Sequence, residues 1–451
     1  MTTPQTYRQH SRALLVLGVP LVGSHLAQIA IVVTDSVMLG WYSVQALAAI
    51  TLASSAAFVL FIVGSGFAFA VLPMVANAMA EDDEVQVRRV TRMGMWMSAL
   101  YGVAVLPLLI WSEPILLGLG QEPDIAALTQ DYLRLFSIGM VPSLLVMVLK
   151  NFLAALERTQ VVLWVTVAAA VLNGFVNYVL IFGNFGAPEL GIKGAAIASV
   201  TLQLVTLAVL VVYTMRVTPE HAMFQRMWRP DWEAFGRVFR LGWPIGLTNL
   251  AESGLFSASA VMMGWIGALP LAAHGIALQL AAMTFVVHLG LSQAATVRAG
   301  HAAGRRDGLS LRRGALVATL MSVLFAGVAI VVYLTIPEVL LGLFLDPDEP
   351  ARPEILAIGV VLLAMAALFQ LVDGAQVIAL GLLRGLQDTK VPMIHATISY
   401  WGVGLSVSYI LGFTLGWGGV GVWMGLVVGL ACASGLLMHR FWTKLVAQVP
   451  V

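Results

Sequence analysis

The sequence predicts an all-α polytopic membrane protein, with twelve transmembrane helices arranged as two pseudo-twofold-related six-helix bundles. Three observations predict it. The 451 residues are 60% hydrophobic and only 10% charged, against about 25% charged in an ordinary soluble domain. The apolar residues fall in continuous runs of bilayer-crossing length, about 20 residues each, rather than in the alternation of a barrel strand. Finally, the second half of the chain repeats the first.

Taken in order, the first span is 13–39. It follows a polar stretch, 1–12, and runs on without a convincing cleavage site, so it is read as a span rather than a signal peptide. The runs 46–79, 91–112, 127–149, 160–182 and 191–215 complete the first six, punctuated by polar loops such as "AEDDEVQVRR". The second six are 237–265, 271–300, 312–336, 354–383, 391–412 and 418–440. An even count puts both termini on one side. With that side inside, all but three of the 24 Lys and Arg residues (Arg134, Lys193 and Arg352) fall in inner loops. The positive-inside rule therefore predicts cytoplasmic termini. A net charge of +1 spread over loops gives no sign of nucleic-acid binding, and the single Cys432 excludes a disulfide framework.

Displacing the sequence by 224 residues aligns "GVPLVGSHLA" with "GWPIGLTNLA" and "VMLGWYSVQALAA" with "VMMGWIGALPLAA". Further on, at an offset of 230, "LAALERTQV" meets "LRGLQDTKV". Six spans per half make the two repeats parallel, related by an axis along the membrane normal, an arrangement typical of secondary transporters. The expected division is an amino-lobe bundle at 1–216, a cytoplasmic linker at 217–240 and a carboxy-lobe bundle at 241–451. In the linker, Trp232, Phe235 and Phe239 share one helical face, which suits a short interfacial helix.

Of the 23 Asp and Glu residues, Asp35, Glu252 and Asp373 lie inside spans and clear of the loops. A carboxylate at mid-helix costs about 2.5–3.5 kcal/mol on insertion scales, so each is a candidate site for a proton or small cation. The repeat does not duplicate them: Glu252 faces Gln28, Asp35 faces Ser259 and Asp373 faces Ser143. Asn173 and Asn177, four apart, share a helical face; their amides either bond across helices or complete a cation site beside Asp35. Pro20 bends the first span two to four turns below Gln28 and Asp35 and is the candidate hinge. The histidines His25, His274, His288 and His395 lack metal-ligand spacing, and no resident metal is expected. Gly421, Gly425 and Gly429 form a small-residue face for close helix packing. There is no P-loop and no catalytic motif, so neither ATP hydrolysis nor any enzyme activity is expected.

At these residues the chain resembles the multidrug and toxic compound extrusion (MATE) transporters, most closely their NorM-type branch. The resemblance rests on "VTDSVMLG" around Asp35, "LGLGQEPD" at 117–124 and "VLNGFVNYVLIFGNFGAPELG" across Asn173 and Asn177. In the second half it rests on "NLAESGLFS" around Glu252 and "FQLVDGAQVIALGLLRGLQDTKVPM" around Asp373. It implies a V-shaped pair of bundles in a bacterial inner membrane, working as a monomer without cofactor. It also implies exchange of a cationic or amphipathic drug for Na⁺ or H⁺. By position, Asp35, Asn173, Asn177 and Gln28 fall in an amino-lobe polar cavity, and Glu252 and Asp373 in a carboxy-lobe cation site. Phe369 departs from the tyrosine expected there, which leaves Na⁺ and H⁺ both open as coupling ion. Phe256, Met262, Met263, Phe369 and Trp401 are candidate walls of a substrate cavity, since methionine and aromatic surfaces repack around varied ligands. The competing reading, a flippase for a lipid-linked saccharide from the same superfamily, would favour a cationic cleft for phosphate.

Overall fold

A computed structural model describes residues 5–449, and among them there are helices and no strands. The first half contains α1 (Tyr7–Tyr42), α2 (Val44–Ala80), α3 (Glu84–Ile110), the short α4 (Ser112–Gly118), α5 (Pro123–Ala155), α6 (Thr159–Phe182) and α7 (Ile192–Val217). The second contains α8 (Trp232–Ile266), α9 (Ala268–Gly304), α10 (Gly308–Thr335), the short α11 (Pro337–Gly342) and α12 (Arg352–Gly385). It closes with α13 (Lys390–Thr414) and α14, whose regular part is Gly418–Arg440. Eleven of these are long and apolar enough to cross a bilayer among the described residues. At 35 residues α8 is also long enough, and it carries Thr248, Asn249 and Glu252 in its middle.

The duplication is written into the helix ends. Asp83 caps α3 by accepting from Gln86 N at 2.9 Å, and Asp307 caps α10 by accepting from Ser310 N at 2.8 Å, 224 residues later. Each cap follows a residue in the left-handed region, Asp82 (φ 55°) and Arg306 (φ 54°). At the other offset, Glu157 (φ 60°) and Gln387 (φ 58°) close α5 and α12 in the same way. At the starts of α3 and α10, a side-chain oxygen on an orphan amide with a left-handed residue just before it gives each repeat the same tight turn.

Two compact units emerge. One is Gly23–Gly246; the other joins the described residues of Met1–Val22 to Leu247–Val451. The chain crosses between them inside α1 and inside α8, again 224 residues apart. The packing explains why. In the first unit, a Cβ on Gly66 of α2 would lie on the backbone of Gly242 and Gly246 in the opening half of α8. In the second, a Cβ on Gly290 of α9 would stand 2.8 Å from Val22 N in the opening half of α1. Glycine is needed at both places because only a missing side chain lets the two helix backbones touch.

The stretch expected as a separate interfacial helix is instead the first turns of α8, which runs unbroken from Trp232. Asp231 starts it by accepting from Ala234 N at 3.1 Å, and it also takes Nε of Arg89 on α3 at 2.5 Å. The Arg89 guanidinium holds the Asp231 carboxyl down at about 2. A charged pin therefore fixes where α8 begins and lets the helix run straight on from the loop.

Candidate functional site

Each unit buries its own polar cluster. In the unit Gly23–Gly246, Asp35 sits in the upper half of α1 and is 9% exposed. Its Oδ1 accepts from Asn173 Nδ2 at 2.7 Å and from Asn177 Nδ2 at 2.5 Å. The four-residue spacing of the two asparagines on α6 aims both amides at one oxygen. Both asparagines are fully buried, and their own carbonyl oxygens have no hydrogen-bond partner among the described residues. Tyr132, on α5, lies near enough for its hydroxyl to interact electrostatically with Asp35. Two amide donors on one oxygen fix the position and orientation of the carboxyl group. Gln28, two turns earlier on α1, is exposed and forms no part of this hydrogen-bonded group.

In the unit that includes Leu247–Val451, Glu252 on α8 and Asp373 on α12 are close enough to repel one another when both are charged. Asp373 is 1% exposed, and its Oδ1 has no hydrogen-bond partner among the described residues; nor has Oε1 of Glu252. An unsatisfied buried carboxylate oxygen is expensive, which makes the pair a candidate landing place for a proton or small cation. Gln376 lies against Glu252, and its Nε2 donates to the Tyr400 hydroxyl at 2.6 Å. Tyr400 stands in a π-helical stretch of α13, Ile398–Gly404, of the kind that re-aims side chains at functional sites. The next residue, Trp401, donates from Nε1 to Ala251 O at 3.0 Å, and its ring lies 2.7 Å from where Gly254 would carry a Cβ. The π-turn thus anchors α13 to α8 on either side of Glu252.

Phe369, one turn before Asp373, is 2% exposed and held edge-on between Phe256 and Trp423, with both centroids at 5.9 Å. Trp423 donates to His274 Nδ1 at 3.1 Å, so that histidine is a packed polar group. Met262 is buried, and Met263, fully buried, would meet a Cβ on Gly419. Of the five candidate wall residues, Trp401 is therefore exposed, Phe256 half-buried and the other three interior.

Several members of this cluster were not read from the sequence. Gln370, one turn before Asp373, is fully buried, and neither amide atom has a hydrogen-bond partner among the described residues. His288 faces it, with Nδ1 at 2.8 Å from Ser322 Oγ. Arg384, grouped by sequence with the loop cations, lies in the last turn of α12 and donates to Asn249 Oδ1 on α8 at 2.9 Å. A signal for the glutamines existed: at the 230-residue offset Gln370 and Gln376 face Met140 and Val146, so these amides, like the acids, belong to one half only.

Comparison with known proteins agrees with the duplicated fold. The MatE family model matches residues 20–179 and again 244–410. Over 438 residues the chain is 50% identical to a probable multidrug resistance protein NorM of Rhizobium meliloti (strain 1021), covering 97% of this chain and 94% of that one. It is 46% identical over 437 residues to a protein of the same description from Agrobacterium fabrum, covering 96% and 93%. A crystal structure of a MATE protein in complex with MaL6 superposes with a TM-score of 0.88 at 18% identity, covering 98% and 97% of the two chains, a likeness of fold. The chain belongs to the multidrug and toxic compound extrusion (MATE) family, in its NorM-type branch, and is a multi-pass membrane transporter rather than an enzyme.

Proposed function

We propose that this transporter is a secondary active multidrug efflux antiporter of the bacterial inner membrane, with cytoplasmic termini. It exports cationic or amphipathic drugs in exchange for Na⁺ or H⁺ by alternating access, as a monomer and without cofactor. The observation that carries the reading is the Glu252–Asp373 pair: two acids on different helices of one unit, each with a buried oxygen lacking a hydrogen-bond partner among the described residues. Cation-loaded, the pair is neutralised; empty, it attracts positive charge. A bound ion then shifts the conformational equilibrium by its differential affinity for the two states. Asp35, presented by Asn173 and Asn177, is the second charged station, with Gln28 at the exposed side of α1. Phe256 and Trp401 form the adaptable drug wall, backed by Phe369, Met262 and Met263, and Pro20 is the hinge. Multidrug resistance in the names of the relatives supports the substrate class. The flippase reading finds less support, because this cluster sets two carboxylates against one guanidinium.

The test is ethidium or norfloxacin transport in vesicles, driven separately by an imposed Na⁺ gradient and an imposed pH gradient. One of the two gradients should drive efflux. Glu252→Gln and Asp373→Asn should each lose at least about tenfold in rate, the equivalent of 1.4 kcal/mol. Unchanged efflux in both variants would remove the site assignment.

A further inference from the structure

In the unit that includes Leu247–Val451, a third charge accompanies the two acids. Arg384 Nη2 donates to Asn249 Oδ1 at 2.9 Å. Asn249 precedes Glu252 by three residues and shares its face of α8, so the bond holds the guanidinium one turn from the carboxylate. The two interact electrostatically, and the Tyr400 hydroxyl joins them. Among the described residues no ion pair closes between Arg384 and either acid; the positive charge is held nearby by an amide, without occupying the carboxylate oxygens. Arginine stays charged in any protein environment, so this cation is permanent.

That placement fixes a charge balance. Two carboxylates and one guanidinium leave a single uncompensated negative charge in a medium where net charge is costly. One monovalent cation brings the cluster to neutrality; a second would leave it positive beside a fixed guanidinium. We propose that Arg384 is the built-in counter-cation of this site and limits it to one exchangeable monovalent cation, Na⁺ or a proton, per cycle. The proposal rests on the reading of Glu252 and Asp373 as coupling acids. Asn249 and Gln376 are positioning residues, holding the guanidinium and the tyrosine in register with Glu252.

The experiment counts cations on the purified full-length protein in lipid nanodiscs, in an Asp35→Asn background that silences the other unit. Bound ²²Na⁺ at saturation and protons taken up on acidification are measured in parallel. The parent should hold one monovalent cation in total, and Arg384→Lys, which keeps the charge, should also hold one. Arg384→Gln, which keeps a donor for Asn249 but loses the charge, should hold two. Adding Asp373→Asn to Arg384→Gln should bring the count back to one.

A second arm needs no change at Arg384. Glu252→Gln alone and Asp373→Asn alone should each bind none, because the guanidinium already balances the acid that remains. If each single variant binds one cation, or Arg384→Gln still binds one, the guanidinium is only a tether between α8 and α12 and the proposal is overturned. Removing both acids without any change in the count would instead sink the coupling reading on which it stands.

Discussion

Asp35 receives two amide hydrogens on one oxygen, and that geometry makes a sharp prediction about single side chains. A hydrogen bond to a charged group is worth about 1.5–3 kcal/mol, so Asn177→Ala should weaken the hold on the carboxylate by roughly tenfold or more. The change should appear as a higher half-saturating concentration of ethidium in efflux assays; Asn177→Gln, which retains the amide, should lose less. An unchanged half-saturating concentration in Asn177→Ala would show that the amides serve packing alone. The asparagines were legible in the sequence because a four-residue spacing already puts both on one face. The rest of the second cluster was less so. Gln370 and Gln376 are uncharged, so a search for charges inside spans passes over them although a buried amide is costly too. Arg384 sits one residue from the end of α12, where sequence can only assign it to the loop. Its side chain donates to Asn249, a partner 135 positions away that no local pattern announces.

Among elements, the boundaries follow from apolar length, and the expected runs match the helices to within about one or two turns. Gly421, Gly425 and Gly429 also did what their spacing implied. A Cβ on Gly421 would stand 2.5 Å from Gly412 N, and one on Gly429 would stand 2.7 Å from Gly404 Cα. One on Gly425 would run into Ser408, whose Oγ meanwhile donates to Val422 O at 2.9 Å. Gly425→Ala should therefore wedge α14 away from α13 and cost about 1–3 kcal/mol, the usual penalty of overpacking. Gly435, further along α14, has nothing within 4 Å of its would-be Cβ, so Gly435→Ala is the matched control and should hold or slightly raise the thermal midpoint in detergent, alanine being the better helix former. Equal midpoints for the two variants would contradict the packing. The π-helical stretch at Ile398–Gly404 had no comparable signal. A π-turn is one residue of slack in an otherwise ordinary helical sequence, and the contacts of Tyr400 and Trp401 decide where it goes.

At the scale of the whole molecule, the repeat does more than duplicate a bundle. The chain passes between its two compact units at Val22–Gly23 and at Gly246–Leu247, each two residues beyond a proline, Pro20 and Pro244. Any rearrangement between the units must be carried by the backbones of α1 and α8 at these equivalent points. A proline there removes one intrahelical hydrogen bond and keeps the preceding turn from closing, which makes both helices easiest to bend just before the crossing. The sequence makes Pro20 the candidate hinge, and the symmetry of the crossings gives Pro244 the same place in the second repeat. Replacing both by alanine should restore a bond of about 1 kcal/mol in each helix. If bending is part of the cycle, the barrier rises by their sum and turnover slows by on the order of tenfold or more. Ethidium affinity should stay unchanged, because neither proline belongs to the polar clusters, and the thermal midpoint should rise. Either single variant should fall between. A Pro20→Ala/Pro244→Ala protein that pumps at the original rate would mean that the prolines only shape a static helix, and that the units move by some path other than bending at the points where the chain joins them.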